Sequence, residues 1–498
     1  MTSSNPIRPF THRVLPALAA LALAASCRVA APTVQPAAAT MPAAFPATAA
    51  TSDSASVADQ PWRQFFGDRN LVGLIDTALQ ANPDLRTAIQ RIEIARANLQ
   101  VQRGALLPTV NGVASAGVEK FGDYTLNGIG NYDTNLSPNI EGRQRIPNPT
   151  PDFFLGLRSS WELDLWGKLR QRRQAAYLRV LASEKGRHLV ETSLVAEVAR
   201  LYFNLLGLDN ELAVLNKNQR LQERALEIVK VQKQAGRANE LAVQQFTAQL
   251  LRTRSLEAEA QQRIAATENE LNRLLGRYPQ RIARGLPILQ QPLPAQVQVG
   301  LPASMLLRRP DVQQAELELV AARADVSAAR AAFLPSLTLT PFIGVNAYRA
   351  SVLFNSPGSL AYGLLAGLSA PLLNRNGLKA DLRRSAAEQQ IAYNDYQKAV
   401  QTGFEEVGTS LRGIGNYQRM FDLQQQEVEA LNKAVSVSDD LYKANYASYL
   451  EVVTAQRSVL DAELNLTQTR RQQFLLLIDL YRGLGGGWTP APAAEPQR

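Results

Sequence analysis

The sequence predicts a mainly α-helical chain with a minor share of membrane-type β structure, and three observations lead there. Two long proline-free runs, Leu169 to Leu275 and Leu378 to Tyr481, are dense in Ala, Leu, Gln, Glu and Arg, residues of high helix propensity. The same succession of motifs is written twice along the chain. Between the motifs lie segments of about ten residues in which apolar and polar residues alternate.

Each helical run has one short turn-like interruption, Gly236-Arg237-Ala238-Asn239 in the first and Asn445-Tyr446-Ala447-Ser448 in the second. Two helical hairpins result, at about 168–275 and 378–483, each with one arm of about 65 residues and one of about 35. At about 1.5 Å per residue the long arm reaches roughly 100 Å. A compact domain does not need that reach; a structure that spans a distance does.

The chain begins with the pattern of a secretory signal over 1–26: Arg8 and Arg13, an apolar stretch from Val14 to Ala25, and small residues leading to Ala24-Ala25-Ser26-Cys27. The sole cysteine of the chain sits at this point, where a lipoprotein carries its acylated residue. Cys27 is therefore the expected lipid anchor, with Ala24 standing where Leu is usual. Residues 27–60 are rich in Ala, Pro and Thr and are expected to form a tether, with the ordered body starting near Trp62. The tail 489–498, rich in Pro and Ala, is expected to be disordered for the same reason.

The body divides into repeats at 61–285 and 286–488. Asn82-Pro83-Asp84-Leu85 and Arg309-Pro310-Asp311-Val312 each introduce a helix, ending at Leu107-Pro108 and Leu334-Pro335. Further on, Leu165-Trp166-Gly167-Lys168-Leu169 matches Arg375-Asn376-Gly377-Leu378-Lys379. Leu241-Ala242-Val243 matches Leu450-Glu451-Val452, and Leu275-Gly276 matches Leu484-Gly485. The first half is longer by about 17 residues between Pro108 and Gly167 than the second between Pro335 and Gly377, read as an extended loop.

Strands are expected at about 109–121 and 152–164, and again at about 336–348 and 360–371. Val110, Gly112, Ala114, Ala116 and Val118 fall opposite Asn111, Ser115 and Glu119. Phe153, Leu155, Leu157, Trp161 and Leu163 oppose Gly156, Arg158, Ser160 and Glu162. Leu337, Leu339, Ile343 and Val345 oppose Thr338, Thr340 and Asn346; Leu360, Tyr362, Leu364, Ala366 and Leu368 oppose Gly363, Gly367 and Ser369. A soluble sheet packed on helices gives the same alternation. The export signal, with no mature run of about 18 apolar residues, favours an outer-membrane barrel. Four strands cannot close one, because an open edge leaves backbone groups unsatisfied in lipid. Three chains would supply twelve.

Net charge is +9, with 53 basic residues interspersed among 44 acidic ones along the helices, the pattern of a solvated face. No basic patch interleaved with aromatics argues for nucleic acid; Arg170-Gln171-Arg172-Arg173 is the nearest, at a helix start. The two histidines, His12 and His188, stand outside any metal or catalytic spacing, so no catalytic residue, cofactor or metal is expected.

The motifs together resemble the TolC-type outer-membrane efflux factors, in their lipoprotein (NodT-type) branch. The resemblance rests on Trp161-Glu162-Leu163-Asp164-Leu165-Trp166-Gly167-Lys168-Leu169-Arg170, on Arg308-Arg309-Pro310-Asp311-Val312 with Ala315-Glu316, on Phe333-Leu334-Pro335-Ser336-Leu337, and on Tyr449-Leu450-Glu451-Val452 with Ala455-Gln456-Arg457. It covers Trp62 to Gly487. It implies a homotrimer with a shared twelve-stranded β-barrel in the outer membrane and a long periplasmic α-barrel. It also implies a periplasmic adaptor and an inner-membrane pump, often of the resistance-nodulation-division type, as partners. In that family the hairpin tips close the channel, which makes Tyr449, Leu450, Glu451, Thr454 and Arg457 the candidate gate. Glu451 occupies an acidic position of the family, whereas Thr454 stands where a second acid is common. A coiled-coil spacer or binding protein without a barrel, and a duct for type I protein secretion, are the competing readings.

Overall fold

The computed structural model describes residues 42, 45, 56–294, 298–373, 375–444 and 446–488. Cys27, the signal segment, most of the tether, Asn445 and the tail 489–498 lie outside the described residues.

After a single turn at Trp62–Phe65 come α1 (Arg69–Ala81), α2 (Pro83–Gly104), β1 (Thr109–Glu119), α3 (Leu126–Leu136), β2 (Thr150–Leu163), α4 (Lys168–Gln234) and α5 (Glu240–Leu274). The second half runs α6 (Pro302–Arg308), α7 (Pro310–Ala331), β3 (Ser336–Ala347), β4 (Leu360–Ser369), α8 (Asn376–Lys443) and α9 (Tyr449–Gly483). The hairpin arms are 67 and 35 residues in the first half and 68 and 35 in the second. The four strands fall where alternation puts them, with ends one or two residues from the expected bounds.

Two features depart from the sequence reading. The segment expected as an extended loop contains α3, capped by Thr125, whose hydroxyl accepts from the Gly128 N–H at 3.2 Å. Asn and Gly residues dilute its helical signal, but Leu126, Ile129, Tyr132 and Leu136 keep a helical spacing. The tether is also less idle than its composition predicts. Phe45 is buried and stacks on Phe404 at 5.3 Å, and Ser56 bridges to Val299. An aromatic ring offers more apolar area than the Ala and Pro around it, and that suffices to dock it.

The chain forms two compact units. One gathers 94–180 and 318–392, and the other the described residues of 36–93, 181–317 and 393–488. In the second unit the largest core packs Leu71, Ile75 and Ala78 of α1 against Tyr202, Leu205 and Phe203 of α4, Leu271 of α5 and Phe474 and Ile478 of α9. The repeat is visible there in atoms. Asn82 precedes α2 and donates from Nδ2 to the Leu274 carbonyl at 2.9 Å; Arg309 precedes α7 and donates from Nη1 to the Gly483 carbonyl at 3.0 Å. Each side chain thus satisfies a carbonyl that the end of the facing short arm leaves open. Those arms stop alike, at Gly276 (φ 64°) and Gly485 (φ 90°), left-handed positions that glycine takes without steric cost.

Arg309 carries the heavier burden. Its side chain is 6% exposed, donates to both Asp311 oxygens (3.0 and 2.6 Å) and pairs with Glu406 at 2.8 Å. Burial works to lower its pKa, but hydrogen bonds and charge from Asp311 and Glu406 outweigh that and raise it. The charge is held because it is fully partnered.

Candidate functional site

The strands form one antiparallel sheet in the order β1-β2-β3-β4, so β1 and β4 are its two edges. Side chains of partnered residues share a face, and the register therefore tests the alternation directly. Gly112, Leu157 and Ile343 pair in a row that continues to Tyr362. Ala114, Leu155, Val345 and Leu360 form the next row, and Leu163, Leu337 and Leu368 lie in another. The apolar sets of all four strands meet on one face. Tyr362, Leu364 and Leu368 on it are 70–75% exposed. The opposite face carries Asn111, Ser115, Asp152, Arg158, Glu162, Thr338, Thr340 and Ser369, and among its apolar members Phe154 and Phe342.

Gly156 and Gly344 are partners on that opposite face. A Cβ built on Gly156 would lie 2.4 Å from the Ile343 oxygen and 2.5 Å from Gly344 Cα, and one on Gly344 would lie 2.5 Å from the Leu155 oxygen. Such crowding from backbone across a strand pair marks the inside of a bend, where only glycine fits. The polar face is therefore the concave one. Beside this crease Pro341, which has no N–H, interrupts the β2–β3 ladder between the Arg158–Phe342 and Trp161–Leu339 pairs.

The motif at Trp161 to Arg170 turns β2 into α4. The Trp161 indole donates to the Leu106 carbonyl at 3.0 Å and the Trp166 indole to the Pro335 carbonyl at 2.6 Å. Asp164 accepts from the Leu169 and Arg170 N–H groups at 3.0 and 2.9 Å. Burial works to raise this carboxyl, but the donations from Arg170 and Leu169 prevail and hold it below the usual range. Glu162 pairs with Lys168 at 2.5 Å across the same turn.

At the other end of the long arms, Leu226 and Val229 of α4, Ala242, Phe246 and Leu250 of α5 and Val452 of α9 form a small buried cluster. The five candidate gate residues divide around it. Tyr449 is half-buried and packs on the cluster, beside Tyr442, whose hydroxyl donates to Gln232. Leu450 (54% exposed), Thr454 and Arg457 line one exposed stripe of α9 with Asp461. Glu451 is exposed and closes the capping box of α9, accepting from the Ser448 N–H at 2.5 Å. Arg457 faces Asp461, one turn on, at 3.9 Å rather than Glu451, because six residues of helix turn the two away from each other.

The two tips differ in how they are fastened. Lys233 bonds to Glu240 across the first turn, and that hydrogen bond lowers the Glu240 carboxyl pKa. Among the described residues the second turn has no such bridge: Lys443 pairs back along its own helix with Asp439 at 2.5 Å. The position matching Glu451 is Ala242, fully buried in the cluster, which explains why that position holds no acid.

The family model for outer membrane efflux proteins matches residues 74–277 and 301–486, one stretch for each repeat. The solvent efflux pump outer membrane protein SrpC of Pseudomonas putida is 33% identical over 429 residues, 86% of this chain and 87% of its own. The probable outer membrane lipoprotein SilC of Salmonella typhimurium is 31% identical over 437 residues, 87% of this chain and 89% of its own. The solved structure of the outer-membrane channel OprN superposes with a TM-score of 0.79 at 26% identity, over 90% of this chain and 98% of the other. A spacer without a barrel has no counterpart in these matches, which embrace the strands as well as the helices.

Proposed function

This chain belongs to the outer membrane efflux protein family, as an outer-membrane channel component of a tripartite efflux pump, and from that premise we propose that three copies close a twelve-stranded barrel around one export duct. One observation carries the proposal: a single sheet with an apolar convex face, a polar concave face and two open edges. Open edges in lipid cost several kcal/mol for each unsatisfied backbone group, so other copies must cover them. The duct moves solutes passively. A periplasmic adaptor and an inner-membrane pump supply contact and energy, and Cys27 anchors the N-terminus in lipid.

The second hairpin tip is the proposed periplasmic gate. Three-fold symmetry turns Leu450 into an apolar ring and Glu451 into a ring of carboxylates, with Thr454 and Arg457 one and two turns further along α9 and Tyr449 buttressing from behind. Support comes from the exposed stripe they form and from the absence, among the described residues, of a bridge across the turn.

The experiment is single-channel recording on the purified protein. Leu450→Ala is expected to raise leak conductance and to sensitise cells to vancomycin. Glu451→Gln keeps an acceptor for the Ser448 N–H and is expected to reduce cation preference with little change in pore width. If both variants conduct and select like the parent, closure lies elsewhere. Outer-membrane fractions should also show a heat-modifiable trimer; a monomer at every temperature overturns the shared barrel.

A further inference from the structure

The concave face of the sheet holds a cluster that neither pore closure nor lipid contact explains. Phe154 is 5% exposed although it lies on the face that carries the polar residues. The end of its ring reaches the glycine crease: Cζ would be 3.0 Å from a Cβ on Gly156 and 2.9 Å from one on Gly344. Phe342 meets it edge to face at 6.2 Å and 70°, and covers Gly363, whose Cβ would be 2.5 Å from the Phe342 ring. Three glycines thus make room for two rings pressed against the wall. Over the Phe154 ring sits the Arg158 guanidinium, 4.6 Å from the centroid.

The charges around Arg158 are arranged unevenly. Along the same face of β2, Asp152 accepts from Asn346 Nδ2 at 2.7 Å and Glu162 pairs with Lys168 at 2.5 Å. Arg158 lies between them and, among the described residues, has no carboxylate within ion-pair distance. The ring beneath occupies one face of the guanidinium and leaves its five N–H groups, all in the plane, without acceptors among the described residues. A planar cation stacked on an aromatic and offering a fork of donors is the arrangement that receives a flat anion, with the carboxylate or sulfonate on the N–H edge and the aryl group beside the phenylalanines.

We propose that Arg158, with Phe154 and Phe342, forms a transit site on the barrel wall that takes aryl carboxylates and aryl sulfonates and biases the duct toward anionic aromatic solutes. The proposal rests on the shared-barrel reading, which places this face on the lumen and repeats the site three times. Arg158 sets the charge preference, and Phe342, the exposed ring of the two, sets the preference for aromatic over simple anions.

The test uses the full-length protein in planar bilayers with sodium 2-naphthalenesulfonate as probe, added to the side of the loop that holds α3. The parent is expected to show concentration-dependent block. Arg158→Gln should raise the half-blocking concentration roughly tenfold, the loss expected for one charge-assisted hydrogen bond. It should also shift the reversal potential in a KCl gradient toward potassium. Arg158→Lys restores the reversal potential but not the block, because an ammonium does not stack. Phe342→Leu weakens naphthalenesulfonate block while leaving block by sodium sulfate unchanged. Retention of the heat-modifiable trimer by every variant separates the site from assembly. Equal block of the parent and Arg158→Gln overturns the transit site with the barrel intact; a parent that forms no trimer overturns the barrel itself.

Discussion

Replacing Gly156 with alanine puts a methyl group where the sheet has no room. The new Cβ would stand 2.4 Å from the Ile343 oxygen and 2.5 Å from Gly344 Cα, both backbone atoms that cannot rotate away. Reaching ordinary contact needs a shift of about 1 Å in one strand, which flattens the bend that curves β2 against β3. Overpacking of this kind costs about 1–3 kcal/mol per site, and a trimer carries the site three times, for about 3–9 kcal/mol in all. Gly117 lies on the same face of β1 and has nothing within 4 Å of its built Cβ, so Gly117→Ala is the matched control. The assay is the temperature at which the detergent-resistant trimer converts to monomer on a gel, with outer-membrane yield measured alongside. Gly156→Ala should lower both, and Gly117→Ala should change neither. Gly344→Ala combined with Gly156→Ala should fall short of the sum, since the two glycines share one contact. Equal behaviour of Gly156→Ala and Gly117→Ala would refute the concave-face argument.

Other outcomes follow from the same geometry. Leu364 lies mid-strand on the convex face, and Leu364→Arg should cost about 2–4 kcal/mol on insertion, measured as lost trimer; Ser369→Arg on the concave face should be better tolerated. Arg309→Ala leaves Asp311 without its buried partner and Gly483 without its donor, a loss of about 3–5 kcal/mol readable as a lower trimer-dissociation temperature. Because Glu406 keeps its bond to Arg482 at 2.8 Å, the effect should sit at the lower end of that range. Cys27→Ser should abolish fatty-acid labelling and leave precursor uncleaved, with channel activity partly kept, since an acyl chain is a modest anchor beside an inserted barrel.

Much of the fold was legible because its signals are periodic and repeated. The long helices announce themselves by composition over dozens of residues, and the strands by alternation that the register then aligns into rows such as Leu157 with Ile343 and Tyr362. What escaped was local. Thr125 caps a helix too short and too rich in Asn and Gly to stand out, and Phe45 docks through a single ring. The aromatic site escaped because alternation assigns Phe154 to the polar set, and only the cross-strand pairing of Gly156 with Gly344 shows why a ring lies there. At the tip, the spacing places Leu450 and Glu451 directly after the turn. That Glu451 caps its own helix, and that Arg457 turns toward Asp461, depends on side-chain geometry that spacing alone does not fix.

The central claim is that the edge strands of different copies pair with each other, and disulfide trapping tests it most directly. One cysteine is placed on β1, at Val113 or Ser115, and one on β4, at Leu365 or Gly367, and the outer-membrane protein is oxidised in place. The shared barrel predicts at least one combination that yields covalent dimers and trimers on a non-reducing gel, lost when either cysteine is omitted. Monomers joined only within a chain, or no cross-link at any of the four combinations, would contradict it.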